Sequence, residues 1–152
     1  MAKIHHSAIG TRDVDASLTF WRDGLGLEVL MDQRFDGNWS ELFGGSSTEL
    51  RSIFLGDPSA SEAGVVELVI LDDMVEPAAS ISPATGFFLL SLFANLDAVL
   101  PRLAELGTGG VPKVLEVHGV RLVVVHDPNG VRVELMDSPA QANISRLANP
   151  GE

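Results

Sequence analysis

Two glutamates stand where strands should be apolar: Glu67 within VVELVIL and Glu134 within VRVELMD. A carboxylate on the inward face of a strand is strongly disfavoured unless a cation, a metal ion or hydrogen-bond donors compensate it. Two such acids at equivalent points of an internal repeat point to a site. The two copies also begin alike, as IHHSAIGTRDVDASL and FFLLSLFANLDAVL, each an extended apolar run followed by a capping residue, Asp13 or Asn95, and an amphipathic helix. Setting Asp13 on Asn95 places His6 opposite Phe88, because both stand seven residues before the cap. Imidazole and carboxylate are the side chains that move protons near neutral pH or hold a divalent ion, which makes His6, Glu67 and Glu134 the residues of first interest.

Strands and helices must position these groups. Residues 3–11 alternate as a strand with Ile4, His6, Ala8 and Gly10 on one face and His5, Ser7 and Ile9 on the other. Asp13 caps a helix bearing Val14, Leu18 and Trp21, stopped by Gly24 and Gly26. LEVLMDQ is the next strand. Residues 34–47, RFDGNWSELFGGSS, read as an inserted loop with at most a helical turn, carrying Phe35, Trp39 and Phe43. LRSIFLG and VVELVIL complete a β-α-β-β-β unit spanning about residues 3–71. A Pro-containing linker of small residues follows at 72–85.

The second unit, about 86–137, repeats the order: GFFLLSLF, a helix from Asn95 to Leu106, then VPKVLEV, VRLVVVH and GVRVELMD. Pro101 within that helix predicts a kink or a later start. HDPNG at 126–130 reads as a turn, with Pro128 presetting one torsion and Asn129-Gly130 supplying positive φ. The polar tail, 138–152, is expected to pack only partly.

Composition narrows the function. Among 152 residues, 21 acidic against 10 basic side chains give a formal charge of −11 with no basic cluster, so neither nucleic acid nor an anionic membrane is an expected partner. The absence of cysteine excludes disulfides, thiolate metal sites and thiol nucleophiles. No apolar run approaches membrane-spanning length, and MAKIHHSAIG lacks the apolar core of a signal peptide, so a cytoplasmic location is expected.

His6 with DVDASLTFW and GLGLEVL behind it, and the closing VHDPNGVRVELMD, carry a resemblance over roughly residues 3–137. The chain resembles the vicinal oxygen chelate superfamily, which includes glyoxalase I, methylmalonyl-CoA epimerase, extradiol dioxygenases, fosfomycin-resistance proteins and bleomycin-binding proteins. The resemblance implies an α+β fold in which two tandem βαβββ modules form an open, cup-like mixed sheet, the glyoxalase/bleomycin resistance/dihydroxybiphenyl dioxygenase-like fold, in a homodimer. In glyoxalase-like members a metal is held by the first-strand and fourth-strand residues of each module. Those positions here are His6, Glu67, Phe88 and Glu134, of which Phe88 cannot ligate.

His6, Glu67 and Glu134 as ligands would suit Zn, Ni, Co, Mn or Fe(II) without selecting among them. The resemblance then implies a metal-dependent lyase or isomerase of the glyoxalase/epimerase type on a small oxygenated substrate, with Glu67 or Glu134 as the base and an enediolate as the species to be stabilised. Phe88, Trp39, Phe35 and Arg132 are the expected substrate contacts. Phe88 equally suits a metal-free protein that binds an aromatic compound and uses no cofactor, and a catechol-type oxygenase is a third reading. The bland alternative for the glutamates is ion pairing with Arg51 or Arg132. His118 and His126 flank predicted turns and are read as surface residues.

Overall fold

The computed structural model describes residues 1–60, 64–78 and 83–149. The chain divides into two compact units, Met1–Ser82 and Pro83–Glu152. Each unit holds a four-stranded mixed sheet and helices, an α+β fold of βαβββ modules. Among the described residues no helix is long and apolar enough to cross a membrane.

In the first unit the strands are β1 (Ser7–Gly10), β2 (Glu28–Asp36), β3 (Glu49–Gly56) and β4 (Val66–Ile70), in the order β1-β4-β3-β2. β1 runs parallel to β4 and the other pairs are antiparallel. The β1 to β2 connection is a helix, α1 (Val14–Leu18), which widens into a π turn over Thr19–Gly24. Asp13 caps it by accepting a hydrogen bond from the Ala16 N–H at 3.0 Å. Phe20 and Trp21 in the π turn are fully buried and meet edge to face at 5.0 Å. With Ile9, Ile53, Leu55, Val66 and Leu68 they make the core of this unit, each such side chain contributing about 1.5–3 kcal/mol by leaving water.

That core occupies one face of the sheet. Since successive strand residues point to opposite faces, the pairings Ala8↔Glu67, Phe54↔Glu67, Ser52↔Val69, Met31↔Phe54 and Phe35↔Leu50 gather the alternate set on the other face. One expectation is corrected here. β2 runs through Asp36, so Arg34 and Phe35 belong to a strand, and the insertion proper begins at Gly37. Pairing with β3 extends the strand beyond the point where its own sequence stops signalling one. The short helix α2 (Ser40–Phe43) ends at Gly44 and Gly45, both at positive φ.

In the second unit β5 (Leu90–Phe93), β6 (Lys113–Val117), β7 (Val120–His126) and β8 (Arg132–Met136) form the sheet β5-β8-β7-β6, with β5 parallel to β8. The helix α3 (Leu96–Glu105) buries Leu96, Val99 and Leu103. It starts directly after its cap Asn95 with Pro101 inside it, so it does not begin later. Pro101 lies on the exposed side, where the Asp97 carbonyl that loses a donor can turn to water. His118 at φ 49° and Gly119 at φ 73° make the tight β6–β7 turn.

At the β7–β8 turn Asp127 is buried, and its carboxylate accepts from the Asn129 and Val131 backbone N–H groups at 2.9 and 2.8 Å. The tail packs only partly, as expected, with Ile144 and Leu147 exposed. Residues Ala140–Ala148 form α4, anchored by the buried Asn143, whose Nδ2 donates to the Ser138 carbonyl at 3.0 Å.

Candidate active site

The alternate face of the first unit's sheet is hollowed into a pocket of about 810 Å³. Its floor is His6, Ala8 and Gly10 at β1, Ser52 and Phe54 on β3, and Glu67 and Val69 on β4. The insertion supplies Trp39 and Phe43, β2 supplies Met31 and Phe35, and the segment after β4 supplies Met74 and Val75. Ala8 and Gly10 are small, which lets the floor lie deep. A Cβ on Gly10 would come within 2.8 Å of the Met74 methyl.

Polar chemistry is concentrated at one end. His6 Nε2 lies 2.9 Å from Glu67 Oε2, and Ser52 Oγ donates to Glu67 Oε1 at 2.6 Å. The Glu67 side chain is 14% exposed, so both its oxygens are compensated by neighbours rather than by bulk water. His5 Nδ1 and His6 Nδ1 are 2.7 Å apart. With His6 Nε2 as the donor to Glu67, the neutral imidazole leaves Nδ1 as an acceptor, and the His5 ring donates to it. The result is a consistent relay from His5 through His6 to Glu67. The His6 ring also rests against Phe54, centroids 5.2 Å apart.

Neither arginine offered as a simple counter-charge serves that purpose. Arg51 lies on the opposite face of β3 and binds Asp32 through two hydrogen bonds of 2.9 and 2.8 Å. The Arg51 guanidinium holds the Asp32 carboxyl below its ordinary value, and Asp32 in turn raises Arg51. Arg132 turns to Phe88, lying 4.5 Å from its ring centroid and donating to its carbonyl at 3.3 Å. Glu134 accepts from Ser91 Oγ at 2.9 Å. Both glutamates therefore carry a serine donor.

The strand ladders revise one correspondence. Ala8 stands across from Glu67 and Ser91 across from Glu134. Counted from the glutamates, Leu89 rather than Phe88 is the counterpart of His6, because the run from strand to helix cap is one residue shorter in the second unit. Like Phe88, leucine offers no donor. Among the described residues no three His, Asp or Glu side chains gather closely enough to hold a metal ion. The His6 and Glu67 pair fits part of a coordination shell: two ligands at about 2.1 Å and a right angle stand about 3.0 Å apart, close to the observed separation.

Over the pocket, the insertion is held at both ends. Trp39 Nε1 donates to the Phe35 carbonyl at 2.8 Å, and its ring lies parallel to Phe43, centroids 6.3 Å apart. Asp73 accepts from the Ser46 backbone N–H and Oγ, and the backbone donor is the larger reason its carboxyl sits below the ordinary value. Phe35 and Trp39 line the pocket. Sequence reasoning missed Ser52, Met31, Phe54, Asp73 and Met74. Alternation within LRSIFLG would have flagged Ser52 as a polar residue between Leu50 and Phe54 on one face, whereas Asp73 and Met74 reach the site through a bend that no periodicity announces.

Comparison with known proteins agrees with this fold. The family model described as Glyoxalase/Bleomycin resistance protein/Dioxygenase superfamily matches residues 3–135. A curated relative, the lactoylglutathione lyase-like protein terB of Aspergillus terreus, is 34% identical over 148 residues, covering 90% of this chain and 75% of the relative. Among solved structures, the glyoxalase family protein of Enterococcus faecalis is 25% identical with a TM-score of 0.62, covering 88% of this chain and 96% of that one. The trypanothione-dependent glyoxalase I of Leishmania major shares the fold at a TM-score of 0.68 and 17% identity, covering 98% and 96% of the two chains.

Proposed function

This chain belongs to the Glyoxalase/Bleomycin resistance protein/Dioxygenase superfamily, and on that footing we propose that it is a lyase or isomerase of the glyoxalase/epimerase type whose proton-transfer group is Glu67. The observation that carries the reading is the compensated carboxylate at the polar end of an otherwise apolar pocket, 2.9 Å from His6 and 2.6 Å from Ser52. Ser52 fixes one oxygen, so the other, Oε2, is the atom that takes a proton from a carbon beside a carbonyl and returns it to the neighbouring carbon. His6, backed by His5, shares that proton or steadies the carboxylate. Apolar walls keep water from competing for it.

His6 and Glu67 would hold a divalent ion. Such an ion, when bound, supplies Lewis acidity toward substrate oxygens and lowers the energy of the charge left when the proton departs. The Aspergillus terreus relative's description as lactoylglutathione lyase-like supports the reaction class without fixing the substrate. The chain's own place is proposed as cytoplasmic and its assembly as a homodimer.

The aromatic walls, together with a register position opposite His6 that carries no donor, favour a second reading: a metal-free protein that sequesters an aromatic compound. Elemental analysis separates the two. Protein grown with several divalent metals should carry near-stoichiometric metal that is lost in His6→Ala and in Glu67→Ala. A parent protein that takes up no metal even on reconstitution, and exchanges no substrate proton with solvent deuterium, would put the binding protein in front.

A further inference from the structure

Resting on the reading that the first-unit pocket is the substrate site, we infer that its ligand is an uncharged, predominantly aromatic molecule with an oxygen group at one end, and that carboxylate-bearing substrates, tripeptide thioesters included, are disfavoured there. The lining sets the argument. Among the described residues that form it, none is Lys or Arg, and its only charged groups are the acids Glu67 and Asp73, with His6 the one imidazole. An anion entering this space would give up its hydration and meet no cationic side chain, a cost far larger than that of burying a neutral ring.

The arginines of the unit, none of them in the lining, each serve a carboxylate outside the pocket. Arg51 pairs with Asp32, Arg34 with Glu49, Arg22 with Asp23 and Arg12 with Glu76. Redirecting one would leave its partner acid unpaired in a chain whose formal charge is already −11. Long-range electrostatics therefore repel the same anions that the lining refuses.

Size and shape favour rings. A volume of about 810 Å³ walled by Phe35, Trp39, Phe43 and Phe54 exceeds what a three-carbon substrate can fill. Several of these walls are water-exposed in the free protein, with Phe35 42% and Phe43 59% exposed, so a flat apolar ligand would remove apolar surface on both sides of the contact. The polar end asks only for an oxygen substituent. A hydroxyl can donate to Glu67, and a carbonyl can accept from the imidazole.

Calorimetric titration of the chelator-treated protein tests this without reference to metal or turnover. The probes are 2-naphthol, neutral at pH 7, 6-hydroxy-2-naphthoate, of similar shape with one carboxylate, and S-hexylglutathione. The expected order is 2-naphthol tightest, the naphthoate weaker by about tenfold or more, and S-hexylglutathione weakest. Phe35→Lys, which puts a cation at the exposed rim, should narrow or invert the difference between the two naphthalene probes. Comparison of the probes on the parent protein stands even where the variant does not fold.

Equal or tighter binding of the naphthoate or of S-hexylglutathione by the parent, or no binding of 2-naphthol, would overturn the inference. Loss of charge selectivity would leave the metal and proton-exchange results untouched, and a metal-free, exchange-inactive protein would still show the charge selectivity. The two failures are thus distinguishable.

Discussion

Removal of the Ser52 hydroxyl is the sharpest probe of how the site is held. Ser52 is 3% exposed and its Oγ lies 2.6 Å from Glu67 Oε1, while Glu67 keeps His6 at 2.9 Å from its other oxygen. A hydrogen bond to an ionised group contributes about 1.5–3 kcal/mol, and its loss leaves one carboxylate oxygen without a donor in a nearly dry setting. Because His6 continues to compensate the other oxygen, the lower part of that range applies, about 1.5–2 kcal/mol for Ser52→Ala. With a urea slope of about 2 kcal/mol/M, the unfolding midpoint should fall by about 0.8–1 M at unchanged slope.

Pairing this change with Glu67→Ala in a double-mutant cycle should return a coupling of about 1–2 kcal/mol, since the serine then has no carboxylate to serve. Metal affinity should drop by about tenfold or more in Ser52→Ala, as befits a residue that orients a ligand. A midpoint within about 0.2 M of the parent, or a coupling near zero, would refute the claim that this hydrogen bond organises the carboxylate.

Three further outcomes follow from local geometry. Asp127→Ala removes the acceptor for the Asn129 and Val131 N–H groups at the β7–β8 turn, so it should cost about 2–3 kcal/mol and lower Tm by about 5–10 °C, with Asp127→Asn losing less; unchanged melting would show the turn is held otherwise. At the insertion, Asp73 has a folded-state pKa below its ordinary value of 3.8, mainly through the Ser46 N–H. A depressed carboxyl contributes stability that is present above the unfolded pKa and lost as pH falls through the folded one. Trp39 fluorescence should therefore report opening of the insertion below about pH 4, with that step absent in Asp73→Asn. Gly45→Ala should open it at neutral pH, because Gly45 sits at φ 72° and an added Cβ would collide with the Asp73 carboxylate.

Much of this protein was written locally. Alternation in IHHSAIG set His6 on the face away from His5, the Asp13 and Asn95 caps announced both helices, and the Asn129-Gly130 pair announced the last turn; these are properties of neighbours along the chain, governed by strand and helix periods. The segments around His6 and in VHDPNGVRVELMD likewise carried the family resemblance. Long-range pairing decided the rest. β3 drew β2 out to Asp36 and so turned Phe35 from a loop residue into a pocket wall, while the ladder between β5 and β8 moved the counterpart of His6 from Phe88 to Leu89. Ser52 became the partner of Glu67 only when two strands met in one register, and Asp73 became an anchor only when the chain folded back onto the insertion. Residue type and strand period, both local, marked the side chains that could carry chemistry. Which of them touch was decided by tertiary structure, because register, bend and burial depend on segments tens of residues apart.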